Sequence, residues 1–241
     1  MVNPRVLVVV PAHNEAGRIG DVVSEIRRKA PEVDIVVIDD ASQDHTGAEA
    51  RATGCKVIRL PVNLGIGGAV QAGFKYAHES GYDIVVQIDG DGQHDPGFLG
   101  ELIEPVLRDQ ADMVIGSRYF PGAEDRDYKT PITRKVGIAL FSWLTTIIIG
   151  RRITDVTSGF RAINRKVLSF FAREYPTDFP DSEAAILVHY LGGRIQEIPV
   201  KMRLRRGGKS STTPIKSLYY PFKVVISILA TLLREKPRAD T

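Results

Sequence analysis

The amino-acid sequence predicts an α/β fold: a mainly parallel central sheet with helices on both faces. Three observations predict it. Five short runs rich in valine and isoleucine occupy the first half of the chain, and they are apolar almost throughout rather than alternating, as strands buried on both faces are. Segments with helical periodicity separate most of these runs. The connections between them are short, and that alternation builds a parallel sheet.

RVLVVV (5–10) is the first strand. Asn14 stands where a helix cap is expected, Glu15 follows, and an amphipathic stretch runs to Pro31. DIVVID (34–39) is the second strand, followed by the polar loop DASQDHTGAEA (40–50), and CKVIRL (55–60) is the third. IGGAVQAGFKYAHES (66–80) reads as a helix ending before Gly81. YDIVVQID (82–89) is the fourth strand, PGFLGELIEPVLRDQ (96–110) another helix, and DMVIGS (112–117) the fifth strand. Ligands of such sheets bind at the carboxyl ends of the strands. Asp39, Asp40, Asp89 and Asp91 all lie at such ends.

The bulk numbers narrow the class. The chain has 241 residues, 43% of them hydrophobic and 25% charged, enough for a substantial core in one α/β domain. A formal net charge of +3 does not suggest a nucleic-acid partner. The basic residues are unevenly placed, crowding into KMRLRRGGK (201–209), which points to an anionic partner on one side. Cys55 is the sole cysteine, so no intramolecular disulfide forms and a reducing compartment fits. The N-terminal stretch enters a strand without a basic start, an apolar segment and a cleavage site, so a cytoplasmic location is expected.

The stretch VVQIDGDGQHDP (85–96) carries the main chemical signal. Two carboxylates released side by side from a buried strand repel each other unless a cation intervenes, and oxygen-rich sites of this kind suit Mg²⁺ or Mn²⁺. Gly90 and Gly92 let a ligand approach the backbone closely. The plain alternative is a solvated acidic turn. A helix–loop–helix calcium site is excluded, because the segment follows a strand and lacks the closing glutamate.

Six segments in order, VVVPAHNE, VVIDDASQDHT, NLGIGGAVQAGF, VVQIDGDGQHDP, VIGSRY and DVTSGFRAINRKVL, resemble the family 2 inverting glycosyltransferases with a Rossmann-like GT-A fold. In particular they are similar to polyprenyl-phosphate glycosyltransferases of the dolichol-phosphate mannose synthase type. The resemblance covers about residues 5 to 211. It implies that Pro11, Ala12, Asn14, Glu15, Asp39 and Asp40 form a nucleoside pocket, and that Asp89, Asp91 and Gln93 hold a divalent ion bridging the donor's diphosphate. The family often has tyrosine where this chain has His13. Each has a plain alternative, Asn14 and Glu15 as helix-start residues and Asp39 or Asp40 as a loop cap; taken alone, the plain reading is favoured for Asn14 and the functional one for Asp40 and Asp91.

NLGIGGAVQAG (63–73) follows a strand and opens a helix, but lacks both the Gly-Lys-Ser/Thr ending of a nucleotide P-loop and a dinucleotide Gly-x-Gly-x-x-Gly pattern. It reads as a helix start close to the nucleotide, with Asn63 and Gly68 near it; glycines for tight packing explain it equally well. His13, His45, His78, His94 and His189 are too scattered for a zinc site. Only His94 lies beside the proposed ion, where it reads as a supporting or structural residue.

A sugar hydroxyl acceptor would need a carboxylate to take its proton, and YPTDFPDSEAAILVHY (175–190) supplies Asp178, Asp181 and Glu183. An acid-rich helix start is the bland account of them. A phosphate acceptor needs no base but needs cations, for which Arg118, Arg134, Lys135, Arg203, Arg205, Arg206 and Lys209 are candidates against the alternative of a solvated basic face. Two apolar segments flank this region. VGIALFSWLTTIII, within an interface helix expected at about 134–150, is too short to span a bilayer and is bracketed by Arg134, Lys135, Arg151 and Arg152. IKSLYYPFKVVISILATLLREK (215–236) has the pattern of a basic amphipathic helix at a membrane interface; core packing or a dimer seam is the sober alternative.

The expected organisation is therefore a catalytic domain over 1–211 and an amphipathic interface helix and tail over 212–241. The expected activity is metal-dependent transfer of a sugar from a nucleotide-sugar donor to a polyprenyl phosphate at the cytoplasmic membrane face. Asp91 and Arg118 would act in catalysis, Asp89, Gly90 and Asp91 would contact the donor, and Arg118, Arg134, Arg205 and Lys209 would bind the acceptor phosphate. Many relatives continue into membrane-spanning helices. This chain stops at Thr241 and is expected to lie on the surface, to recruit a small membrane protein, or to pair with a second copy. Two rivals remain: transfer to a sugar hydroxyl with Asp181 or Glu183 as base, and a non-catalytic nucleotide-sugar-binding module docked on a membrane partner. A nucleotidyltransferase is disfavoured, because PAHNEAGRIG is not a basic glycine-rich loop.

Overall fold

The computed structural model describes residues 4–123, 132–176 and 180–204. Strands β1 (Val6–Ala12), β2 (Asp34–Asp39), β3 (Lys56–Arg59), β4 (Ile84–Gln87), β5 (Met113–Ser117), β6 (Arg161–Asn164) and β7 (Ile195–Pro199) form one sheet in the order β3-β2-β1-β4-β6-β5-β7. The helices are α1 (Ile19–Lys29), α2 (Thr46–Ala52), α3 (Gly65–Glu79), α4 (Leu99–Leu107), α5 (Ile132–Ile149), α6 (Arg165–Arg173) and α7 (Pro180–Tyr190). The mainly parallel, helix-covered sheet expected from the sequence is present, with one antiparallel strand, β6, inserted between β4 and β5.

Alternate residues of each strand face opposite sides, so the sheet feeds two cores. Val8, Val10, Val37, Val86 and Val114 pack against α1 and α4 residues such as Ile19, Ile26, Leu99 and Leu102. Leu7, Val9, Val36, Val85 and Ile115 pack against Val70 and Phe74 of α3 and Phe171 of α6, with α7 residues in the same core. Continuous apolar runs are what this two-sided burial requires.

Two local readings need correction, and one strand was not read from the sequence. Asn14 does not cap α1, which begins at Ile19 with Arg18 at its cap position. The loop expected over 40–50 turns into α2 from Thr46 on, a helix of only seven residues whose apolar side is little more than alanine and glycine. β6 carries only Ala162 and Ile163 as apolar residues, too few to announce a strand. The expected interface helix corresponds to α5, whereas the amphipathic segment over 212–241 lies outside the described residues.

Candidate functional site

The carboxyl ends of β1, β2 and β4 lie side by side, so the loops after them meet at one edge of the sheet. β1 holds this edge together. Pro11 accepts a hydrogen bond from the Gly90 backbone (3.3 Å), and Ala12 accepts one from Asp40 (2.9 Å). A side chain at position 90 would meet the Pro11 carbonyl at 3.1 Å, so glycine there permits the close approach of the acidic turn to β1. Gly92 has φ +76°, the left-handed conformation that favours glycine.

Within the turn, Asp91 Oδ1 accepts the Gln93 backbone N–H (3.0 Å). Gln93 also donates its amide nitrogen to the Arg203 carbonyl (3.4 Å), which leaves the amide oxygen as the end that suits a cation. Asp89 lies against Gly159, where a Cβ would come within 3.0 Å of its Oδ1. Partial burial, then repulsion from Asp91, pushes the Asp89 carboxyl up to about 7. Among the described residues no group of three or more His, Cys, Asp or Glu side chains is placed to hold a metal ion. The candidate donors, two carboxylates and an amide oxygen, form an incomplete set, and such a set would fit a cation such as Mg²⁺ or Mn²⁺ that takes further oxygens from water or phosphate.

The other expected residues divide. His13, Asn14 and Asn63 are exposed at the same edge. Asn14, at φ +56°, accepts the Gln43 N–H (2.9 Å) on its side chain and donates its own N–H to Ser42 (3.1 Å), tying the loop after β1 to the loop after β2. Glu15 is buried against Arg18 (2.6 Å). Asp40 is buried and its two oxygens accept the N–H groups of Leu64 (2.7 Å) and Gly65 (2.9 Å), so it caps α3 from a distance. Asp39 is fully buried, bound to the Ser42 N–H (2.9 Å) and turned toward Arg59 (3.5 Å). Gly68 lies inside α3, where a Cβ would collide with Leu64, so packing accounts for this glycine.

On the far side of the acidic turn, Arg118 directs its fork at Asp155, with Nε–Oδ2 at 2.6 Å and Nη2–Oδ1 at 2.7 Å, and adds Thr157 Oγ1 at 2.6 Å. Asp181, in the first turn of α7, lies 3.6 Å from the buried guanidinium of Arg161. Burial raises the Asp181 carboxyl, Arg161 pulls it part of the way back and Asp89 adds repulsion, leaving it at about 6. The Asp89 and Asp181 charges thus sense one another across the site. Glu183, two residues on and on another side of the helix, is buried. Arg203 pairs with Glu25 (2.6 and 2.9 Å) and Asp95 (2.8 Å), fastening the chain after β7 to α1 and to the acidic turn. Arg205, Arg206, Lys209 and Asp178, and the side chains of Arg134 and Lys135, lie outside the described residues.

Sequence reasoning gave no role to Gln87, Asp155, Gly159 or Arg161. Gln87 and Arg161 are direct cross-strand partners, and Gln87 hydrogen-bonds Asp89. An arginine placed between apolar neighbours, Phe160 before it and Ala162 and Ile163 after it in GFRAIN, was the available signal.

Comparison with known proteins gives these observations a family. An undecaprenyl-phosphate mannosyltransferase of Micrococcus luteus is 35% identical over 218 residues, covering 86% of this chain and 86% of that protein. A UDP-N-acetylglucosamine–dolichyl-phosphate N-acetylglucosaminyltransferase of Methanococcus voltae is 31% identical, covering 83% of this chain and 86% of that protein. A crystal structure of glucosyl-3-phosphoglycerate synthase from Mycobacterium tuberculosis, in complex with Mn²⁺, UDP-glucose and glycerol 3-phosphate, shares the fold with a TM-score of 0.73 and 22% identity, covering 95% of this chain and 80% of that one. The glycosyl transferase family 2 domain matches residues 7–171. With the acidic turn at the carboxyl edge of a helix-covered sheet, the chain belongs to glycosyl transferase family 2.

Proposed function

We propose that the protein transfers a sugar from a nucleoside-diphosphate donor to a polyprenyl phosphate, with inversion at the anomeric carbon. The observation that carries this reading is the Asp89–Asp91 turn, set at the carboxyl edge of the sheet in a chain matched over most of its length by an undecaprenyl-phosphate mannosyltransferase. Asp89, Asp91 and the Gln93 amide oxygen would hold a Mg²⁺ or Mn²⁺ ion, which when bound offsets the negative charge growing on the departing diphosphate. His13, Asn14 and Asn63 would border the nucleoside, and the close packing of Gly90 on β1 leaves the turn's backbone without a side chain in the donor's way.

The acceptor phosphate is already ionised at neutral pH and attacks without a base. Arg118, fixed by Asp155 and near enough to Asp89 to lower its pKa, supplies a positive charge on the acceptor side. Arg134, Arg205 and Lys209 would add to it. α5 offers a membrane contact: Leu140, Trp143 and Ile147 are exposed along it, and Arg151 and Arg152 are exposed at its end. Beside them runs a groove of about 600 Å³ lined partly by Tyr119, Ile138, Trp143 and Ile153. Among the described residues no helix is long and apolar enough to cross a membrane. Attachment at the cytoplasmic face, aided by a membrane protein or a second copy, fits these features.

The test is to incubate the purified protein with nucleotide sugars, a polyprenyl phosphate and Mg²⁺ or Mn²⁺, and to look for labelled lipid. Asp91→Ala should abolish transfer while circular dichroism shows the fold retained. Full activity in the Asp89→Ala/Asp91→Ala double variant would refute the metal role. A second reading, transfer to a sugar hydroxyl, is favoured by one observation: the Asp181 carboxyl at about 6, suited to a general base. Loss of turnover in Asp181→Asn with donor binding intact selects that acceptor.

A further inference from the structure

The transfer just proposed leaves His94 without a part, although it lies immediately after Gln93 and is 4% exposed. Its ring stacks on Phe160, with centroids 5.1 Å apart and planes 19° from parallel. Nδ1 lies 3.1 Å from the backbone nitrogen of Asp89. A backbone N–H can only donate, so Nδ1 accepts, and a neutral ring carries its proton on Nε2.

The sheet explains why this contact exists. Ile88 and Gly90 donate their backbone N–H groups to Val9 and Pro11 of the β1 strand. N–H groups of alternate residues in a strand point to opposite neighbours, so Asp89 directs its N–H toward β6. β6 begins at Arg161, opposite Gln87, and offers no partner two residues further along. A backbone donor left unmet in this half-buried turn is costly. His94 meets it by folding back across the turn, and its own backbone is pinned by a bridge to Met202.

We propose that His94 is a positioning residue for the cation site: its Nδ1 ties the Asp89 main chain to the far end of the turn, so that the 89 carboxylate and the 91–93 ligands share one frame before a cation arrives. This rests on the metal reading above. Groups that orient metal ligands without touching the metal commonly change its affinity by about 10–100-fold when removed.

The experiment titrates Mn²⁺ alone into the full chain, followed by electron paramagnetic resonance, for wild type, His94→Leu, His94→Asn and His94→Gln. The unfolding midpoint of each is measured in EDTA. Asparagine puts an amide oxygen where Nδ1 sits, glutamine carries it one bond too far, and leucine has no acceptor. All three lose the stacking on Phe160. Leucine and glutamine should weaken Mn²⁺ binding by about tenfold or more, while asparagine stays within about threefold of wild type despite a similar fall in midpoint. If His94→Leu does not fold, the asparagine–glutamine difference decides. Wild-type affinity in the leucine variant overturns the inference, as does a loss in all three that follows their midpoints. A wild-type protein that binds no Mn²⁺, either alone or with a nucleoside diphosphate present, removes the metal reading and this inference together.

Discussion

Asp155 has no exposed surface, and both its carboxylate oxygens are committed to Arg118, itself only 8% exposed at the side chain. A buried ion pair of this kind adds little net stability, but deleting one partner strands the other's charge. Asp155→Ala should therefore cost about 3–5 kcal/mol in urea unfolding, far more than an exposed pair such as Arg108–Glu104, worth about 0–1 kcal/mol. A loss under about 1 kcal/mol would mean that Arg118 finds other partners easily. Asp155 lies in DVTSGFR, a segment visible in the sequence, yet its pairing with a residue 37 positions earlier was not. Charge and residue type can be read from a string, whereas partners depend on which loops the sheet brings together. Asp40 shows the same limit: a carboxylate at a strand end is legible, but that its oxygens serve the start of α3 is not.

Two contacts between elements carry predictions. Removing the Asp40 carboxylate leaves the Leu64 and Gly65 N–H groups without it at the first turn of α3, so Asp40→Ala should destabilise the protein by about 1–2 kcal/mol. Calorimetry would show this as a lower unfolding temperature, and an unchanged one would mean that α3 needs no cap. The edge formed by β5, β6 and β7 is joined through Asp112. Burial alone would raise its carboxyl, but hydrogen bonds from the Arg194 side chain and backbone, with Asn164, hold it below its ordinary 3.8. A depressed folded-state pKa contributes stability that is complete above the unfolded value and drains away as pH falls through the folded one. Asp112→Asn should therefore be less stable than wild type at pH about 7, with the gap narrowing below about 4. Urea melts at both pH values measure it, and an equal gap at each would contradict the linkage. The helix α2 and the strand β6 escaped sequence reading because each is short and takes its stability from the layers that enclose it.

At the scale of the molecule, helices cover both faces of the sheet and the loops after β1, β2 and β4 gather at one edge. α5 exposes Trp143, the only tryptophan in the chain, together with Leu140 and Ile147. If this helix meets lipid, vesicles containing anionic phospholipid should shift the tryptophan emission to the blue, and Trp143→Glu should weaken co-sedimentation with them. Emission and sedimentation unaffected by vesicles would remove the membrane reading from α5 without touching the donor site. The apolar, basic-flanked composition of this segment was visible in the sequence, but a buried helix could share it. Only folding shows which face is covered, with Phe141 in the core and Trp143 outside it.

The sequence by itself determined the alternation of strand and helix, the acidic turn and the carboxyl edge where it lies, because burial on two faces and turn chemistry are written locally. Only the tertiary structure decided that Asp40 caps α3, that Arg118 belongs with Asp155, that Asp181 stands over Arg161, and that His94 serves the Asp89 backbone. Each of those pairings joins a strand end or turn to a group that the folded sheet alone brings near. Hydrogen bonds and ion pairs act over a few ångströms, so their partners are settled by three-dimensional approach and not by spacing along the chain.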